Sequence, residues 1–162
     1  SLRQFMQPNF LQQLQDALTE TNMSPGRVTL EITESLFIED LDYILPLLAK
    51  VHELGLHISM DDFGTGFSSL SMLRNLPMDE LKIDKSFVDT LCANSADQKL
   101  VQNIIAIGKN YGMTVLAEGV ETEHQAEMLR RFGCDRFQGY LFARPLPVNE
   151  LESFVGSHLE LV

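Results

Sequence analysis

Along the chain one pattern of apolar and polar positions recurs: an amphipathic helical stretch, a glycine, a short apolar run, then polar or acidic residues. From Leu41 to Leu54 apolar residues fall at helical spacing, Gly55 ends the stretch, and Leu56 to Met60 reads as a strand. Ser95-Ala96-Asp97-Gln98 predicts a capping box opening a helix that runs to Tyr111, after which Gly112 releases the chain into the strand Met113 to Ala117. Thr122-Glu123-His124-Gln125 predicts a second box, whose helix ends at Gly133 before a strand from Arg136 to Phe142. Glycine suits the position just past a helix because it takes the left-handed conformation without strain. Val28 to Ile32 and Glu80 to Ile83 bring the predicted strands to five, and helices near Pro8 to Thr21 and Val148 to Leu159 flank the whole.

Strands alternating with helices mean βαβ units and a mainly parallel sheet. Two architectures fit: an open doubly wound sheet, or a TIM-type barrel, which when complete takes ~250 residues. At 162 residues the chain is one domain long, with no linker or low-complexity run to divide it. A net charge of −11 excludes a protein that coats nucleic acid, since phosphates need a Lys/Arg stripe. An acidic protein that takes a phosphate ester needs metal ions to bring it in. No apolar run is long enough to span a membrane, and Cys92 and Cys134 lack metal-ligand spacing, so two reduced thiols in a cytoplasmic protein are expected.

In both architectures function sits at the carboxyl ends of the strands. Those ends carry, in order, Glu31 and Glu34; Asp61 and Asp62; Lys82 and Asp84; Glu118 and Glu121; and Gln138. Singly, such residues are commonly caps or solvated turns, and Asp84 before Lys85-Ser86 and Glu123 at a helix start read that way. Together they place acids and one lysine on one predicted edge. Carboxylates that close repel unless cations or protons neutralise them, and an all-oxygen set suits Mg²⁺, Mn²⁺ or Ca²⁺. A carboxylate bridging two ions is the usual centre of two-metal phosphodiester hydrolysis, with Lys82 placed to hold the attacking water or the departing oxygen.

Glu31-Ile-Thr-Glu34, Asp61-Asp62-Phe-Gly-Thr-Gly-Phe-Ser-Ser-Leu, Leu-Lys82-Ile-Asp84, Ala-Glu118-Gly-Val-Glu121-Thr and Gln138-Gly-Tyr closely resemble the EAL-domain cyclic-di-GMP phosphodiesterases, in order and register through nearly the whole chain. The resemblance implies a TIM-type barrel that linearises cyclic di-GMP to pGpG with two Mg²⁺ or Mn²⁺ ions. It implies Glu31, Asp61, Asp62 and Glu118 as metal ligands, Asp61 bridging. It implies Lys82, Glu118, Asp61 and Asp62 as the catalytic set, with the water activated by Lys82 or Glu118. Glu34, Glu121, Gln138, Thr65 and Gly66 would bind substrate or support the site, Glu34 by anchoring the Asp61–Ser69 loop.

The family's naming Glu-Ala-Leu motif would lie ahead of Ser1. The expectation is therefore an N-terminally truncated (β/α)8 barrel of about five βα units, residues 1–162 forming a partial EAL domain. Its open strand edges would be rearranged or would associate with another copy, as a homodimer or larger assembly. Metal affinity and turnover of the truncated chain would be weakened. A sensor or GGDEF domain is expected upstream in the parent protein. The alternative is a catalytically silent EAL domain that binds cyclic di-GMP or a protein. A response-regulator receiver fails on order, because its acidic pair should follow the first strand and its lysine the last. A haloacid-dehalogenase-type site fails because it needs Asp-x-Asp.

Overall fold

The computed structural model describes residues 2–34, 36, 41–64 and 73–158. In chain order the elements are α1 (Leu2–Phe5), α2 (Phe10–Thr21), a 3-10 turn (Pro25–Arg27), β1 (Thr29–Thr33), α3 (Leu41–Glu53), β2 (His57–Phe63), β3 (Glu80–Ile83), α4 (Lys85–Thr90), α5 (Ser95–Asn110), β4 (Thr114–Ala117), α6 (Glu123–Phe132), β5 (Arg136–Phe137) and α7 (Val148–His158). The strands form one sheet in the order β1-β2-β3-β4-β5, every pair parallel. A doubly wound sheet reverses its strand order at a switch point; spatial order equal to chain order is the single winding of a TIM-type barrel. Among the described residues β1 and β5 each pair on one side.

The strands alternate because one face packs under helices and the other carries the chemistry. Ile58, Met60, Leu81, Ile83, Val115 and Ala117 are wholly buried on the first face. Each large side chain there contributes about 1.5–3 kcal/mol by leaving water. Helix α5 lies so close that a Cβ on Gly108 would stand 2.5 Å from Val115 Cγ2. The other face carries Glu31, Ser59, Glu80, Lys82 and Arg136, with Ser59 Oγ donating to Glu80 (3.1 Å) and Arg136 pairing with Glu80 (2.9 Å).

At the amino ends of the strands a small clasp appears twice. Asp79 N–H donates to Ile58 O (2.9 Å), while Ile58 N–H donates back to the Asp79 carboxylate (2.8 Å). Asp135 and Val115 repeat it at 3.0 and 2.8 Å. The last turn of each preceding helix supplies a partner, His52 for Asp79 and Lys109 for Asp135. These clasps hold the register of β2 against β3 and of β4 against β5.

Three expectations change. Asn94, not Ser95, caps α5: its side chain accepts from Ala96 N–H (2.9 Å), and Ser95 becomes the first helical residue. The last strand stops at Phe137, because Gln138 to Phe142 turn against the segment that follows β4, with Leu141 N–H reaching Val120 O (3.0 Å). The second strand runs on through Asp61 and Asp62 to Phe63. The box at Thr122 forms as expected, and Gly55, Gly112 and Gly133 take positive φ.

Candidate functional site

Strand β2 enters the site through a bulge. Met60 pairs with Leu81 and Phe63 with Ile83, so Asp61 and Asp62 together oppose Lys82 alone. Simple alternation would send neighbouring aspartates to opposite faces, and an extra residue re-aims them. Asp62 adopts φ 57°, a left-handed conformation that aspartate tolerates better than most residues. Its N–H donates to Asp61 Oδ1 (3.1 Å), and Gly64 follows at φ 95°.

The bulge brings Asp61 to Lys82, which is 4% exposed. Lys82 Nζ stands 2.6 Å from Glu118 Oε1, 3.1 Å from Glu31 Oε1 and 3.2 Å from Asp61 Oδ1. Burial pulls the ammonium's pKa down, but hydrogen bonds to Glu118, Glu31 and Asp61 outweigh it and hold Lys82 above the ordinary lysine value. A buried ammonium is tolerable only so paired. Asp62 is pushed up by burial and by the charges of Asp61 and Asp84, against a smaller pull from Lys82. Glu34, 2% exposed, ties the end of β2 at two points: its N–H donates to Asp61 O (3.2 Å) and its Oε2 accepts from Gly64 N–H (3.0 Å).

Of the residues expected to act, Glu31, Asp61, Lys82 and Glu118 thus meet, with Asp62 beside them. Glu121 leaves the cluster and pairs with Lys85 (2.7 Å). Gln138 is exposed, and its backbone stitches β4 to the turn after it, donating to Ala117 O (2.9 Å) and accepting from Val120 N–H (3.0 Å). Both line a hollow of about 220 Å³ with Lys85, Glu118, Gly119 and Tyr140. Thr65 and Gly66, with the rest of the loop to Ser69, lie outside the described residues. Asp84 caps α4, accepting from Ser86 N–H (3.0 Å).

Sequence reasoning passed over Lys85 and the second contact of Gln125. Gln125 Oε1 accepts from the N–H groups of Glu121 and Thr122 (both 2.9 Å), and its Nε2 donates to Val88 O (3.1 Å). The capping-box reading contained Gln125 without the contact to Val88, which depends on how α6 meets α4. For Lys85 the only local signal was Asp89 four residues on.

The donor chemistry of the cluster, carboxylate oxygens only, fits hard divalent ions. Among the described residues no three acidic, histidine or cysteine side chains are preassembled for a metal; the carboxylates gather on the Lys82 ammonium. An ammonium and a divalent ion answer the same electrostatic need, so an ion bound here would compete with Lys82 for the same oxygens.

MucR of Pseudomonas aeruginosa, named a bifunctional diguanylate cyclase/cyclic di-GMP phosphodiesterase, is 42% identical over 96% of this chain and 23% of its own length. The solved PaMucR phosphodiesterase in complex with c-di-GMP superposes with a TM-score of 0.89 at 42% identity, over 93% of this chain and 61% of that one. A manganese/cy-diGMP complex of Klebsiella pneumoniae BlrP1 superposes at 0.81 and 32% identity, over 88% of this chain and 36% of that one. The chain spans about a fifth of the length of the curated relatives it matches. Singly wound order, acids and lysine at the strand ends, and a family match over residues 1–145 agree: the chain belongs to the EAL domain family.

Proposed function

We propose that this chain, as a partial EAL domain, carries the strand-end chemistry of a phosphodiesterase that hydrolyses cyclic di-GMP to linear pGpG with two Mg²⁺ or Mn²⁺ ions. The observation that carries the reading is the convergence of Glu31, Asp61 and Glu118 on buried Lys82. It is supported by family membership and by relatives whose names and complexes state that dinucleotide.

Glu31, Asp61, Asp62 and Glu118 would hold the ions. Bound divalent ions supply neutralisation of the phosphodiester and acidification of water. Lys82 would orient the attacking water or stabilise the departing oxygen. Either Lys82 or Glu118, its nearest partner, would activate that water. Glu34, by gripping Gly64 and Asp61, holds the bulge that aims both aspartates. Glu121, Gln138, Thr65 and Gly66 would support the substrate.

The 162-residue chain alone would bind ions weakly and turn over slowly. Among the described residues β1 and β5 each pair on one side only, and such edges would favour association between copies. Free Cys92 and Cys134 fit a reducing compartment. Among the described residues no helix is long and apolar enough to cross a membrane. A cyclase or sensor domain elsewhere in the protein is part of the same proposal.

A second reading, binding without turnover, is favoured by one observation: every N–H of Lys82 has a carboxylate to serve, leaving none for water. Incubation of the chain and its Asp61→Asn variant with cyclic di-GMP and Mn²⁺ decides between the readings. Metal-dependent pGpG formation abolished by the substitution supports hydrolysis. Saturable binding with no pGpG from either chain overturns it in favour of the binding module.

A further inference from the structure

The turn from Glu118 to Glu121 is held from two sides in a way that the expected site chemistry does not use. On one side runs Lys85. Its ammonium pairs with Glu121 Oε1 at 2.7 Å and with Asp89 Oδ1 at 2.9 Å, so it spans from α4 to the exit of β4. Its aliphatic stem lies flat across Gly119: a Cβ there would stand 2.3 Å from Lys85 Cγ, 2.7 Å from Cδ and 2.8 Å from Cβ. Gly119 also takes φ +67°, so two independent constraints ask for glycine under that stem.

On the other side runs Gly139, where a Cβ would meet Val120 O at 2.1 Å and Val120 N at 2.3 Å. Backbone hydrogen bonds close this floor, Val120 N–H to Gln138 O at 3.0 Å and Leu141 N–H to Val120 O at 3.0 Å. At the turn's start Glu118 N–H donates to Ile83 O (3.1 Å). The carboxylate that leaves this clamped turn is the one 2.6 Å from Lys82.

We infer that Lys85 is a positioning residue for Glu118: its stem over Gly119 and its ion pair to Glu121 fix the turn that aims the Glu118 carboxylate at Lys82. The pair has a second consequence. It keeps Glu121 away from Lys82, which already holds three carboxylates. Lys85 and Glu121 are each about half exposed, and exposed pairs contribute little to stability, so loss of this one leaves the fold standing and acts on the turn.

The test compares Lys85→Met, which keeps the stem and loses the charge, with Lys85→Arg, which keeps both. Two signals are read on the whole chain: the ¹⁵N resonance of the Lys82 ammonium, and kcat and KM for cyclic di-GMP with Mn²⁺. We expect Lys85→Met to shift the Lys82 resonance and lower kcat on the order of tenfold with KM little changed, as small misplacements of an acting group do. Lys85→Arg restores both. Should Lys85→Met not fold, Glu121→Gln loosens the same tie from its other end and is read on the Lys82 resonance alone, which it should likewise shift. An unmoved Lys82 resonance in the charge-removing variants, or a Lys85→Arg protein that behaves like Lys85→Met, overturns the inference. The kinetic arm rests on the hydrolase reading; if the unsubstituted chain makes no pGpG, that reading fails while the resonance still decides the clamp.

Discussion

Lys82→Met removes the positive centre around which the strand ends are organised. In the folded chain the ammonium is 5% exposed at the side chain, and its partners Asp61 and Glu118 are 23% and 21% exposed. At an effective dielectric of ~20, each such contact is worth about 5 kcal/mol gross, most of it offset by desolvation. Glu31, 56% exposed, adds little after screening. Methionine fills similar space but leaves the carboxylates facing one another, a loss of about 3 kcal/mol by analogy with other broken buried pairs. Lys82 is held above the ordinary lysine value, so its stabilisation is fully present below the unfolded-state pKa and lost only as pH rises through the folded one. At pH 7 the whole difference is therefore measurable. With a urea m-value of roughly 2 kcal/mol/M, the midpoint should fall by roughly 1.5 M. Mn²⁺ should then raise the melting temperature of the variant more than that of the parent, because the ion no longer competes with an ammonium. A midpoint within ~0.3 M of the parent, about a fifth of the expected fall, or equal Mn²⁺ shifts in both proteins, would refute the electrostatic account.

Glu34→Ala strips the charged acceptor from the Gly64 N–H and should cost about 1.5–3 kcal/mol, the range for hydrogen bonds to charged groups, with faster amide exchange at Gly64 as the local readout. Unchanged exchange there would show that the bulge does not depend on it. Gly139→Ala drives a Cβ into the backbone of Val120, which cannot rotate away, so a destabilisation of about 3 kcal/mol or more is expected by thermal unfolding. Asp135 is pushed up by burial but, on balance, held below the usual carboxylate range by Lys109 and the Val115 N–H. Its stabilisation is present above the unfolded-state pKa of ~3.9 and lost as pH falls through the lower folded value. Asp135→Ala should thus cost about 1–2 kcal/mol at pH 7 and progressively less below about pH 4, measured by urea midpoints at both pH values.

Period and punctuation along the chain were enough to locate the helices and the order of strands, because both signals are local. Apolar residues two or three to four apart mark the face an element must bury, and glycines at positions 55, 112 and 133 mark where helices stop. The acids and the lysine at the strand ends, and the family they belong to, were legible for the same reason: each is a short string of residues. Tertiary structure decided what those residues touch. Only the pairing register shows that β2 carries a residue too many opposite Lys82, and so swings Asp61 onto the ammonium. Glu121 sits three residues from Glu118 yet answers to Lys85, because α4 follows β3 and lays that lysine across Gly119. Asp79 and Asp135 look like ordinary turn residues until the strands they clasp are neighbours. The sequence by itself determined which elements form and which chemistry they carry; the structure alone decided which charges meet, since contacts between distant residues depend on register, bulges and the angle at which helices pack.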